Sequence, residues 1–295
     1  MKGGDDGEEE LFSALSERGG GRDKIFRFGD LPGRLQTSLI RVLLEPLLLK
    51  SERGKKKVGR GERTDLWVSA IRCFRFFSRP RGDAYSTCQS ACLCRMLVAS
   101  GASLSVKASQ NLMGMMKAVF VEATKQQEQR NSVTLGMVVE VAAACLALPA
   151  HENIPLLYSI VYNSDIIAEM RKHDGLLSSS HSSQPAFRLL EQTSNFFSSL
   201  VDSLGAKQLD LKQVQEIIAS NVGEWARAVP PALPPVEISC LLEEHHDGQI
   251  YFTVFDSSTS STIHFAHESK AKVGTLALDL DDSDRSQATA FADLV

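Results

Sequence analysis

Ser105-VKASQNLMGMMKAVFVEATKQQE-Gln129 is the stretch that decides how this chain is read. Val106, Met113, Met116, Phe120 and Ala123 recur at intervals of three, four or seven residues, while Lys107, Lys117, Glu122 and Lys125 fall mostly off that stripe. Such spacing marks a helix with one apolar face, because 3.6 residues complete a turn. A strand would alternate with period two instead.

The same periodicity continues on both sides. Thr64–Ser78 and Ala84–Ser100 precede this segment, and Ser132–Leu148, Ile154–Lys172, Pro185–Leu204 and Asp210–Val229 follow it. Further upstream, Leu31–Leu49 places Leu35, Leu39, Val42, Leu43 and Leu47 on one face, with Pro46 expected to kink or shorten its last turn. Ser132 and Asp210 are N-cap candidates, Pro185 suits a helix start, and Gly101, Gly175 and Gly205 stand where helices should stop. Seven or eight helices joined mostly by short loops, with no strand between them, predict an all-α fold. An armadillo- or HEAT-like solenoid is the most economical arrangement, although no strict repeat motif is visible.

The ends differ. Residues 1–30 are Gly- and charge-rich and read as a disordered lead. Residues 31–235 form the helical domain, closed by Pro230-Pro-Ala-Leu-Pro-Pro235. Residues 236–295 read as an irregular to disordered tail, with a short hairpin expected over 249–265 from the runs Gln249–Phe255 and Thr262–Phe265.

Composition bounds the function. With 36 Asp and Glu against 32 Lys and Arg, the bulk charge predicts no affinity for nucleic acid. Six cysteines in 295 residues do not make a disulfide scaffold. The acidic opening segment lacks an apolar core, so no secretory signal is expected, and the longest apolar runs are too short to span a bilayer. Membrane contact is therefore expected to be peripheral. The basic loop at 50–63, with Lys55, Lys56 and Lys57, is the local patch for it; its glycines also fit a plain solvated insertion.

Candidate chemical sites are few. Cys88, Cys92 and Cys94 cluster, but Cys94 leaves the face shared by the other two, and no fourth zinc ligand stands at suitable spacing. Packed apolar cysteines are the expectation. His264, His267, His245 and His246 lie near Cys240 in the tail and read as exposed loop histidines. Asp279, Asp281 and Ser283 echo a calcium loop, yet Asp284 replaces its Gly and Ala290 its Glu. Motifs for phosphoryl, acyl or hydride chemistry are missing, so no enzyme, cofactor or metal is expected.

More information sits in Asn153-Ile-Pro-Leu-Leu-Tyr158-Ser-Ile-Val-Tyr162-Asn-Ser-Asp165-Ile-Ile-Ala-Glu-Met-Arg171-Lys-His173, followed by the Phe196-Phe197 helix and the Val214–Trp225 segment. This ordered combination resembles the C-terminal region of the dymeclin family, with specific matches over 151–229. On that resemblance Tyr158, Tyr162, Asp165, Arg171, His173, Phe196, Phe197 and Trp225 are motif residues, structural or partner-binding. Helical spacing assigns the two tyrosines to the inter-helix core. Departures are visible too. Asn163-Ser164 replaces a basic pair, Ile167 and Met170 replace phenylalanines, and a closing Pro-Tyr-x-Trp segment is absent. The family's proteins are longer, so the chain corresponds to their C-terminal portion.

The resemblance implies a non-enzymatic cytoplasmic scaffold, peripheral at the Golgi, that supports Golgi organisation and vesicle traffic through protein partners. The alternative is a generic armadillo-like adaptor for peptides or transport cargo in cytosol or nucleus. An uncovered face on the first full helix pair also predicts self-association.

Overall fold

The computed structural model describes residues 23–52, 65–79, 82–126, 129–149, 153–177, 183–203, 211–229, 236–244, 250–256 and 261–267. Helices α1 (Gly33–Glu52), α2 (Leu66–Phe77), α3 (Ala84–Ala99), α4 (Val106–Gln126) and α5 (Gln129–Leu146) come first. Next are α6 (Ile154–Tyr162), α7 (Ser164–Arg171), α8 (Ser183–Ser203) and α9 (Leu211–Ala228). Strands β1 (Asp23–Arg27), β2 (Ile238–Glu244), β3 (Ile250–Asp256) and β4 (Ser261–His267) form one antiparallel sheet in the order β1-β2-β3-β4. The fold is mostly helical, with a small sheet added.

Helices pack chiefly against near neighbours in sequence. Among these pairs, α1 touches α2 and α3, α2 touches α4, α3 touches α5, and α6 lies between α4, α8 and α9. Helix α4 is buried along a wide face by Ala108, Leu112, Met113, Met115, Met116, Val119, Phe120 and Ala123. Val106 departs from its expected place on that stripe. It occupies the first position of α4 and is 49% exposed, while Ala108 in the same turn is fully buried.

Local chemistry sets the helix ends. Asp65 caps α2 by accepting from the backbone N–H groups of Trp67 and Val68, and Asp83 caps α3 through those of Tyr85 and Ser86. The Asp83 carboxylate is thus occupied by a helix start. After α3, Gly101 adopts φ +70°, its N–H bonds to the Val98 carbonyl, and the Ala102 N–H reaches back to Leu97. That pair of bonds is a Schellman closure, and it requires a left-handed residue that glycine supplies cheaply.

Several expectations are corrected. The segment read as one helix over Ile154–Lys172 breaks at Asn163 into α6 and α7. Asn163 leaves helical geometry (φ −111°, ψ 26°), its amide donates to the Ser159 carbonyl at 2.7 Å, and its own carbonyl accepts from Ile166 and Ile167. Ser132 lies inside α5, which starts at Gln129, so it is no cap. Helix α1 continues past Pro46 to Glu52 and is not shortened there.

The largest correction concerns the ends. The lead read as disordered over 1–30 contains β1 and a 3-10 turn, Phe28–Asp30, whose Phe28 is fully buried. The tail read as irregular beyond 236 holds three strands. A hairpin, β3–β4, is there, but it sits in a sheet that also recruits β2 and the distant β1. Residues 1–22 and 268–295, with Lys55, Lys56, Lys57, Gly205, Asp210, His245, His246, Asp279, Asp281 and Ser283, lie outside the described residues.

Pleating sorts the sheet into two faces. Ile238, Cys240, Phe252, Val254, Asp256, Ile263 and Phe265 are all buried, and the register places them on the same face. This face lies toward α1 and α3, which β4 contacts. Leu241, Thr253 and His264 occupy the other face. Tyr85 Oη and Gln89 Nε2 of α3 both donate to the His264 carbonyl, at 2.6 and 2.8 Å, so side chains cover the edge of β4.

Candidate functional site

The motif residues form three groups. On α6, Tyr158 and Tyr162 stand one turn apart with stacked rings, 6.2 Å between centroids and 22° between planes. Tyr158 is half-buried against the core, and this burial, with Tyr162 nearby, raises its pKa above 10.0. Tyr162 is 74% exposed. The expectation that both tyrosines join the inter-helix core therefore holds only for the first. Tyr162 closes α6 just before the break at Asn163.

The second group is polar. Asp165 is exposed in the first turn of α7, where the helix N-terminus favours a carboxylate. Arg171 at the other end reaches Glu191 of α8 at 2.6 Å and ties the short helix to the long one. His173 sets its ring against Phe120 of α4 at 5.7 Å and 62°, and its Nε2 lies 3.8 Å from Glu169. Lys172 donates to Glu169 at 2.6 Å and holds that carboxyl below its ordinary range.

A third group is the seam between α8 and α9. Phe197 is fully buried, edge-on to Phe196 at 5.1 Å and 6.1 Å from the Trp225 ring. Trp225 donates its indole N–H to Thr193 Oγ1 at 3.3 Å. Its ring also lines an open, mostly apolar cleft of about 170 Å³ with Leu146, Leu148, Leu189 and Val229. These aromatic residues position helices; the exposed chemistry belongs to the α6–α7 surface.

The cysteines serve packing. Cys92 and Cys94 are buried and Cys88 is half-buried, all three as free thiols. Burial pushes Cys88 up to about 11, with Asp83 adding to the shift, and raises Cys92 and Cys94 well above 9.0. His264 and His267 are not in a loop: both belong to β4. His264 is on the sheet face opposite Cys240, with Nδ1 2.9 Å from Thr253 Oγ1. Among the described residues no group of three His, Cys, Asp or Glu is placed to hold a metal ion. In the same residues no helix is long and apolar enough to cross a membrane.

Sequence reasoning missed two features. Arg95 and Asp256 meet although 161 positions separate them. Arg72, Arg75 and Arg79 repeat at three- and four-residue spacing on and just beyond α2, a pattern that could have been found beside the loop lysines.

These features define a helical protein whose exposed motif surface lies on α6 and α7 and whose ends are joined by a sheet. The family model described as "Dymeclin: Dyggve-Melchior-Clausen syndrome protein" matches residues 81–249. That match spans α3 through β2 and more than half of the chain, and the chain belongs to the dymeclin family. No curated protein and no solved structure matches the chain.

Proposed function

We propose that this chain is a non-enzymatic scaffold that supports Golgi organisation and vesicle traffic from the cytosolic side, through protein-protein contacts. The observation that carries this reading is the family match over 81–249, which covers the helices from α3 onward. Helices that pack mostly on near neighbours in sequence are what a solenoid requires, and a solenoid offers a long surface to partners. Within it, the stacked Tyr158–Tyr162 pair, with exposed Asp165 and Arg171 close by in sequence, suits a protein contact: an amphipathic aromatic beside charges of both signs. Lys55, Lys56 and Lys57 would add peripheral membrane contact.

Imaging of the tagged chain tests the proposal. A signal that coincides with a Golgi marker and follows it when the organelle is dispersed supports it. A purely diffuse or nuclear signal that ignores dispersal overturns it.

A further inference from the structure

Charge along the chain is uneven. Residues 33–99 carry 14 Lys and Arg against five Asp and Glu, although the whole chain has net charge −4. Within that region α2 contains Arg72 and Arg75 and no acidic residue, and Arg79 follows two positions after it ends. All three arginines are exposed. A turn of 3.6 residues places positions 72, 75 and 76 on one face, and Arg79, two residues past the helix end, joins that face through its contact with Phe76. Phe76 lies among them, half-buried, with the Arg79 guanidinium 5.6 Å above its ring. Among the described residues none of the three guanidiniums meets a carboxylate. The first turn, residues 67–70, is buried all round, so the exposed face opens at Arg72; Ile71, Cys73, Phe74 and Phe77 are buried on the opposite side.

We infer that the Arg72–Arg75–Phe76–Arg79 face binds directly to an anionic lipid surface. The proposal rests on this charge geometry and not on the scaffold reading above. With no carboxylate among the described residues holding them, the three exposed guanidiniums offer planar forks that match phosphate oxygens two at a time. A single outward helix face fits a plane of headgroups, with the Phe76 ring edge entering the boundary below them. An acidic peptide would need a groove to order its backbone, and the cleft beside Trp225 is on α5, α8 and α9 instead.

Vesicle sedimentation of the full chain tests the assignment, using phosphatidylcholine alone and with roughly 30% phosphatidylserine. Binding should require the anionic lipid and weaken at high salt. The R72Q/R75Q/R79Q triple variant should lose on the order of 100-fold in partition coefficient, at about tenfold or less per cation near the surface. The R72K/R75K/R79K variant should keep most of the binding, and circular dichroism should report wild-type helix content for both. Lys55, Lys56 and Lys57 changed to Gln should cost less than the arginine set. No binding to anionic vesicles at low salt overturns the inference. So does undiminished binding of a folded R72Q/R75Q/R79Q variant, or capture of acidic peptides without any affinity for vesicles.

Discussion

Arg95 on α3 and Asp256 at the end of β3 form a buried two-pronged ion pair that fastens the sheet to the helices. Arg95 Nε bonds to Asp256 Oδ2 and Nη2 lies 3.4 Å from Oδ1, with the side chains 11% and 4% exposed. The pair lies at the inner face of the sheet, where water cannot compensate either charge if its partner is lost. It therefore acts with the Tyr85 and Gln89 bonds to β4 as the polar part of an otherwise apolar contact.

Removing one partner should cost more than removing both. Arg95→Met or Asp256→Leu alone is expected to destabilise by on the order of 3–5 kcal/mol, since each takes this partner from a buried charge. The double replacement R95M/D256L should recover much of that loss. Urea unfolding of the four proteins in a double-mutant cycle measures it, and equal additive losses would refute the pairing.

Two glycines should respond differently to alanine. A Cβ at Gly82 would lie 1.8 Å from the Phe77 carbonyl oxygen, and the same loop is held by Arg130 donating to the Gly82 carbonyl at 2.5 Å. Gly82→Ala is expected to cost about 3 kcal/mol or more, because backbone must move. Gly101 has open space around its missing Cβ, so Gly101→Ala pays only for φ +70°, about 1–2 kcal/mol. Thermal melts of both variants rank them, and a larger loss at Gly101 would contradict this account.

The aromatic motif residues should separate into structural and surface roles. Trp225→Ala empties a site only 3% exposed and is expected to lose about 3–5 kcal/mol. Tyr162→Ala removes an exposed ring and should change stability by no more than about 0.5 kcal/mol. If the α6 face is a partner contact, Tyr162→Ala should still deplete partners in a pulldown. An unchanged partner list would return Tyr162 to the status of a bystander.

Alkaline pH should loosen the fold. Burial raises Cys88 from 9.0 to about 11 and Cys240 and Tyr85 to about 12. In each case the native state holds a proton that the unfolded chain releases, so stability is fully present below pH 9 and is lost as pH climbs toward 12. Chemical denaturation from pH 7 to 11 should show that decline. At pH 7 thiol labelling should begin at Cys88, the half-buried member of the six, and rapid labelling of Cys94 would contradict its burial.

Much of the helical part was legible because its causes are local. Met113, Met116, Phe120 and Ala123 share a stripe whatever the rest of the chain does, and glycine after α3 closes a helix by backbone preference alone. The break at Asn163 was less visible. Apolar spacing runs through it, and only the competition between its side chain and the helical backbone ends α6. The motif residues could be named from their order, but not sorted: helical spacing puts Tyr158 and Tyr162 on one face without saying how far the neighbouring helix extends over it.

By itself the sequence determined the helices, their apolar faces and the family to which this chain belongs. The β3–β4 hairpin was legible in the sequence; tertiary structure alone decided its extension by β2 and β1 into a four-stranded sheet. Asp23–Arg27 is five residues long, and its register with Ser239–Glu243 is a contact across more than 200 positions. Strand pairing depends on a partner that no local pattern names, and closing so long a loop is favourable only after the intervening helices have brought the ends together. The same assembly decides that Arg95 is paired within the fold while Arg72, Arg75 and Arg79 remain exposed.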